Sequence, residues 1–202
     1  MPWQLKLIMD PSTRRQRLGA AQLAVGLWML VAALVACVTW PGPKDLERVD
    51  LARASLPVVG LVGVYLSLTA IIHLAIGMRL RQEQRLRSRG ILLLFADHLV
   101  VLAMVAKVSL SNPASPVYLV GSENLIGVLV TCLLLSLTSG LLCWFVVPEA
   151  FTDPRHGTAA ELKPVGWTAR VLPAAVGLHF PITLGLLYAL WQLDLQPLLL
   201  VV

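Results

Sequence analysis

The sequence predicts an all-α integral membrane protein, a bundle of five transmembrane helices, and three observations lead there. Of its 202 residues, 57% are hydrophobic and only 13% charged, whereas a soluble domain carries about 25% charged residues. The mean hydropathy is +0.79. Five apolar stretches are each long enough to cross ~30 Å of hydrocarbon at about 1.5 Å per residue. So little charge cannot coat a water-facing globule of this size. A soluble enzyme, a disordered tail, a collagen and a disulfide scaffold are excluded. Lipid offers the backbone no hydrogen-bond partner, so the spans must be continuous helices. The alternating pattern of a membrane β-barrel is absent.

Residues 1–17 read as a cytoplasmic segment. Trp3, Leu5, Leu7 and Ile8 could lie on the inner leaflet beside Lys6, Arg14, Arg15 and Arg17. The five-helix domain covers residues 18–193, with spans over 18–40, 57–78, 90–110, 125–147 and 171–193, and a short external tail over 194–202. In the first span, Leu34-Val35-Ala36-Cys37 looks like a lipobox, and Thr13-Arg14-Arg15 resembles part of a twin-arginine signal. Four further spans with consistent flanking charge favour an ordinary, uncleaved first span. Pro41-Gly42-Pro43, the arginine-rich run 79–89, Asn112-Pro113 and Asp153-Pro154 punctuate the chain between spans.

Charge orients the bundle. Lys6, Arg14, Arg15 and Arg17 precede the first span. Arg79, Arg81, Arg85, Arg87 and Arg89 separate the second and third, and Arg155, Lys163 and Arg170 the fourth and fifth. Twelve of the 16 basic residues thus fall on one side. Lys44, Arg48 and Arg53 fall on the other, with Lys107 snorkelling near the outer end of span three. The positive-inside rule places the N-terminus in the cytoplasm and the C-terminus outside, as in a bacterial inner-membrane protein. Trp40, Trp144, Trp167, Tyr188 and Trp191 fall near span ends, where amphipathic rings suit the interface. The same topology accounts for the net charge of +5 without nucleic acid.

Cys37, Cys132 and Cys143 lie in apolar stretches and form no C-x-x-C pair. They read as small apolar fillers. Gly60 and Gly63 in span two, and Ser136, Ser139 and Gly140 in span four, offer small faces for close helix contact. No internal repeat is visible, and an odd span count disfavours inverted halves. The longest polar connection, residues 148–170, is too short for a catalytic core. Phosphate loops, H-E-x-x-H and G-x-S-x-G are all absent, so no independent catalytic activity is expected. His156, beside Asp153 and Arg155, reads as a solvated loop histidine.

The chemistry-bearing residues are those inside the spans: His73, Asp97, His98 and His179. Ionisable groups there are costly and usually face the bundle interior. His73 lies six residues before Arg79, about 9 Å of helical rise. His98 lies nine residues after Arg89, and His179 nine after Arg170, about 13 Å each. Under the alternating topology His98 and His179 share a level, with His73 somewhat nearer the cytoplasm. Adjacent helical residues point about 100° apart, so Asp97 and His98 are expected to face different neighbours. Pro181 frees the carbonyl of Gly177 and is expected to kink span five, opening space beside His179; Pro173 and Pro181 read equally as packing kinks that neighbouring helices satisfy.

Three functions fit. The first is a non-catalytic subunit anchoring a larger membrane assembly, redox or photosynthetic, whose partners are the lipid bilayer and other membrane subunits. The second is an electron-transfer subunit. In it His98 and His179, with His73 in reserve, ligate a b-type haem or a chlorophyll-type pigment, and Arg87, Arg89 and Arg170 receive propionates. The third is a small proton-coupled transporter using Asp97 and His98. A structural reading stands beside all three: a membrane-buried histidine can simply hold helices together.

Overall fold

The computed structural model describes residues 10–38, 49–82, 86–111, 122–152 and 168–199. Five helices follow in order: α1 (Pro11–Val38), α2 (Val49–Arg81), α3 (Ser88–Ser111), α4 (Ser122–Val146) and α5 (Thr168–Leu199). All five are long and apolar enough to cross a membrane. The apolar segments within them, Pro11–Val35, Val58–Arg81, Gly90–Val108, Gly127–Val146 and Arg170–Gln192, overlap the five expected spans.

The helices run past the expected spans. α1 starts at Pro11, so Arg14, Arg15 and Arg17 belong to its opening turns rather than to a separate segment. Proline suits that first position because its missing N–H has no intrahelical partner there. The Ser12 hydroxyl donates to the Asp10 carboxylate, and the Arg14 amide closes the first turn on the Asp10 carbonyl at 3.1 Å. α5 continues through Leu199, so part of the expected tail is helix. Pro173 and Pro181 do not interrupt α5.

All five connecting ends gather at the arginine-rich end. Leu86–Arg87 (β1) and Phe151–Thr152 (β2) pair as a two-residue parallel bridge, joining the α2–α3 and α4–α5 connections. Apart from this two-residue bridge the described elements are all helices, as the sequence predicts. The bridge gives backbone groups between spans the partners they need. Arg14 Nη1 donates to the Val146 carbonyl at 3.3 Å, tying the start of α1 to the end of α4. Arg79 Nη2 donates to the Thr168 carbonyl at 3.0 Å, tying the end of α2 to the start of α5. The helices therefore alternate in direction, as the charge pattern requires.

The helices close a ring in the order α1, α4, α3, α5, α2, and α2 also reaches across to α4. α2 is the central element: 61% of its span is buried, against 22–33% for the others. Large exposed apolar residues sit on the other four, among them Trp28, Leu93, Phe145 and Phe180. Val64 is the only one on α2 among the described residues. α1 and α2 meet backbone to backbone. A Cβ on Gly19 would lie 2.7 Å from the Gly77 carbonyl, and one on Gly26 would lie 2.9 Å from the Ala70 carbonyl. Gly140 likewise leaves room for the Phe95 ring. Gly60 corrects an expectation: it faces open space, not a helix.

Two apolar clusters fill the bundle. One holds Met29, Leu66, Val101, Leu129 and Leu186. The other, toward the arginine-rich end, holds Ile76, Leu80, Leu94, Cys143 and Ala175. Between them lies a layer of buried polar side chains, with members from all five helices: Gln22, Thr69, His73, His98, Ser136, Ser139, His179 and Thr183.

Candidate functional site

The polar layer is organised by helical spacing. Tyr65, Thr69 and His73 recur every four residues on α2, so they line one face of the central helix. Asp97 and His98 come from α3, Ser136 from α4, His179 and Thr183 from α5, and Gln22 from α1. His98 has no exposed surface, and Tyr65 none either.

Polar contacts within hydrogen-bond distance run through the layer without a break. His73 Nδ1 meets Gln22 Oε1 at 2.5 Å, and His73 Nε2 meets Ser136 Oγ at 2.7 Å. The same hydroxyl meets His98 Nε2 at 2.8 Å. His98 Nδ1 meets the Tyr65 hydroxyl at 2.8 Å, and that hydroxyl lies 3.0 Å from Asp97 Oδ2. Asp97 Oδ2 lies 3.2 Å from His179 Nδ1, and His179 Nε2 meets Thr69 Oγ1 at 3.0 Å. One continuous chain thus joins three buried histidines and the aspartate.

Counting protons along this chain fixes its direction. Gln22 Nε2 donates to the Ser139 carbonyl at 3.0 Å, a group that can only accept. Its Oε1 therefore faces His73 Nδ1, which must carry the proton. With His73 neutral, its Nε2 accepts from the Ser136 hydroxyl. Ser136 has one proton, so His98 Nε2 must donate to it. His98 Nδ1 is then a bare lone pair facing the Tyr65 hydroxyl. At the other end, Thr69 donates to the Tyr65 carbonyl at 2.9 Å. Its oxygen can then accept from His179 Nε2–H. Thr183 spends its proton on the His179 carbonyl at 2.8 Å, and its oxygen lies 3.4 Å from His179 Nδ1.

The outcome is a cluster of acceptors. Asp97 Oδ2, Thr183 Oγ1 and, with Nε2 protonated, the His179 Nδ1 lone pair all face one another. Such a cluster calls for one more proton shared among these groups, or for a cation. Asp97, His98 and His179 also place one donor atom each within 4.8 Å of one another.

All four sequence-identified residues lie in this layer. His98 and His179 share a level, with ring centroids 5.7 Å apart. His73 stands apart toward the arginine-rich end. There it lines a small cavity with Gln22, Phe95 and Cys143, and it reaches His98 only through Ser136. Asp97 and His98 do not face unrelated neighbours. Their Oδ2 and Nδ1 lie 3.7 Å apart, because the Tyr65 hydroxyl draws both toward α2. Nor does Pro181 open space beside His179, which is buried and engaged at both ring nitrogens.

Sequence reasoning missed Tyr65, Thr69, Gln22 and Thr183, and read Ser136 as a packing residue. The four-residue polar repeat on α2 and the His179–Thr183 spacing were the available signals. Cys132 and Cys143 are buried and free, as apolar fillers would be. The Gln22 amide touches the Cys143 sulfur at 2.9 Å. Trp144 packs on Phe151 and Tyr188 on Trp191. Lys107 is exposed, and so is Arg170. Residues 1–9, Trp40, His156 and Trp167, with the side chains of Cys37, Arg87 and Arg89, lie outside the described residues.

Compared with known proteins, the chain matches no family model, no curated protein and no solved structure.

Proposed function

We propose that this chain is a small multi-pass membrane protein that takes up and releases a proton at an occluded mid-bundle centre, in the manner of a proton-coupled transporter. The observation that carries this reading is the acceptor cluster of Asp97, His179 and Thr183 at the end of a continuous chain of polar contacts. An aspartate kept in a membrane is costly and marks ion or proton pathways. The apolar clusters on both sides of the polar layer separate it from either surface, as alternating access requires. The arginine-rich end faces the cytoplasm, and the charge bias suits a bacterial inner membrane.

Haem or pigment ligation by His98 and His179 has weaker support. The Tyr65 hydroxyl and the Asp97 carboxylate occupy the space between the two imidazoles. A flat porphyrin would have to displace both. The role of a structural subunit gains nothing separate, because lipid tails account for the exposed apolar belt.

The test is proton flux in proteoliposomes carrying a pH gradient and an internal pH-sensitive dye. Wild type is expected to collapse the gradient faster than empty liposomes, and Asp97→Asn to match the empty ones. Wild-type flux no faster than empty liposomes, or full flux in Asp97→Asn, sinks the reading.

A further inference from the structure

We infer that Asp97, His98 and His179 form a binding site for a first-row divalent transition-metal ion. Three observations carry this, and none depends on proton transport.

The first is the donor set. Two imidazoles and one carboxylate from α3 and α5 each offer one atom to a common point, all within 4.8 Å. Nitrogen and carboxylate donors suit zinc, cobalt, nickel or iron, whereas calcium and magnesium take oxygen ligands. Asp97 Oδ2 lies 3.2 Å from His179 Nδ1 and 3.7 Å from His98 Nδ1. Tetrahedral bonds of about 2.0–2.1 Å set donors roughly 3.3 Å apart. Small movements would seat an ion.

The second is the far side of each ring. A metal-ligating histidine almost always donates its other ring N–H to a fixed partner, which sets the tautomer. Both rings here do so. His98 Nε2 is held by Ser136 at 2.8 Å, and His179 Nε2 by Thr69 at 3.0 Å. Proton counting assigns the N–H to Nε2 in both, which leaves the His179 Nδ1 lone pair 3.2 Å from Asp97 Oδ2 and the His98 Nδ1 lone pair on the Tyr65 hydroxyl, 3.7 Å from the same carboxylate oxygen. A histidine that merely joins helices has no need of two matched rings with the same atom turned inward.

The third is the neighbour at the open position. Tyr65 has one proton and two partners, His98 Nδ1 at 2.8 Å and Asp97 Oδ2 at 3.0 Å. When a metal takes His98 Nδ1, the hydroxyl keeps a bond to the carboxylate and orients it. Thr183 Oγ1, 3.4 Å from His179 Nδ1, adds an oxygen on the same side. Three protein ligands leave one coordination position for an exchangeable group, as in sites that handle their metal rather than lock it.

The experiment is titration of the detergent-purified, metal-free full chain with Co²⁺, read by its visible ligand-field spectrum, with Zn²⁺ as competitor. The expected result is one Co²⁺ per chain, the intense absorption of four-coordinate cobalt, and displacement by Zn²⁺. His98→Ala, His179→Ala and Asp97→Asn should abolish the band. Ser136→Ala and Thr69→Val should weaken binding about 10- to 100-fold, and His156→Ala should leave it unchanged. Gel filtration and circular dichroism check that each variant is folded. Should the ligand variants not fold, paramagnetically shifted ring protons in cobalt-loaded wild type count the bound histidines directly. Two shifted rings support the site. Weak six-coordinate cobalt, no shifted rings, or an undiminished band in the three ligand variants overturns it. Because no gradient is involved, metal binding can fail while proton flux stands, and the reverse.

Discussion

His179 Nδ1 lies 3.2 Å from Asp97 Oδ2, across the seam between α5 and α3. Asp97 Oδ2 also lies 3.7 Å from His98 Nδ1, and the Asp97 side chain retains 13% of its surface. The pair is the most polar contact in a layer that is otherwise hydroxyls, amides and neutral imidazoles. Its chemistry follows from the layer around it, and each of the following variants tests one part of that layer.

Ser136 is shared between His73 Nε2 and His98 Nε2. Ser136→Ala removes one hydroxyl and leaves two buried ring nitrogens without that partner. An unsatisfied buried polar group costs about 1–3 kcal/mol. The Ser139 hydroxyl, one turn away, donates within its own helix to the Ser136 carbonyl at 3.0 Å. Ser139→Ala should therefore cost well under about 1 kcal/mol, since interhelical hydrogen bonds in membranes average only about 0.6. Thermal unfolding in one detergent, followed by tryptophan fluorescence, should rank Ser136→Ala clearly below Ser139→Ala. Equal midpoints would mean that the shared hydroxyl does not hold the layer together.

Tyr65→Phe keeps the ring and removes the hydroxyl that joins His98 to Asp97. The variant should lose about 1 kcal/mol of stability, the ordinary value of a buried hydrogen bond. Its effect on proton flux should be much larger, because the chain is cut into a His73–Ser136–His98 half and an Asp97–His179–Thr69 half. Flux in proteoliposomes is expected to fall to the level of Asp97→Asn. Wild-type flux in Tyr65→Phe would show that protons do not pass along this chain.

How much of this was readable before the structure depends on which physical signal each feature leaves. The five spans were legible because lipid imposes a length and an absence of charge, both visible in composition. Their alternation was legible because the basic residues fall in alternate connections, and Arg14, Arg79 and the Leu86–Phe151 pairing meet at one end. The helix ends were not legible from hydropathy. Helix continues beyond the expected spans to Pro11 and Leu199. The shared level of His98 and His179 followed from counting residues from the arginines. Rotation about each helix axis was beyond that count, so Asp97 and His98 were set facing apart. Tyr65, Thr69 and Thr183 escaped because hydroxyls cost little in a span and form no motif. Only the partner across the seam shows what they do.

Gly77 sets the distance between α1 and α2. A Cβ there would meet the Gly19 carbonyl at 2.7 Å and the Leu23 backbone nitrogen at 2.9 Å, contacts that no rotamer relieves. Gly77→Ala should push the helices apart and destabilise the bundle by about 1–3 kcal/mol, the usual cost of overpacking. Gly60→Ala, facing open space on the same helix, should be neutral or slightly stabilising, because alanine is the better helix former by up to about 1 kcal/mol. The opposite order in a detergent melt would contradict the α1–α2 seam.

Orientation is testable with single cysteines at the two ends of the bundle. Arg81 is exposed at the arginine-rich end, and Leu110 is 82% exposed near the end of α3. The positive-inside rule places Arg81 in the cytoplasm and Leu110 toward the outside. In intact cells a membrane-impermeant thiol reagent should label Leu110→Cys, and should label Arg81→Cys only after permeabilisation. Cys132 and Cys143 are buried, so they give little background. The reverse pattern would invert the bundle. It would also reverse the side from which the Asp97–His179 centre meets cytoplasmic protons, while leaving every contact inside the layer unchanged. A third pattern, both cysteines labelled from one side, would break the alternation itself. That would contradict the Leu86–Phe151 bridge, which requires the α2–α3 and α4–α5 connections to share a face.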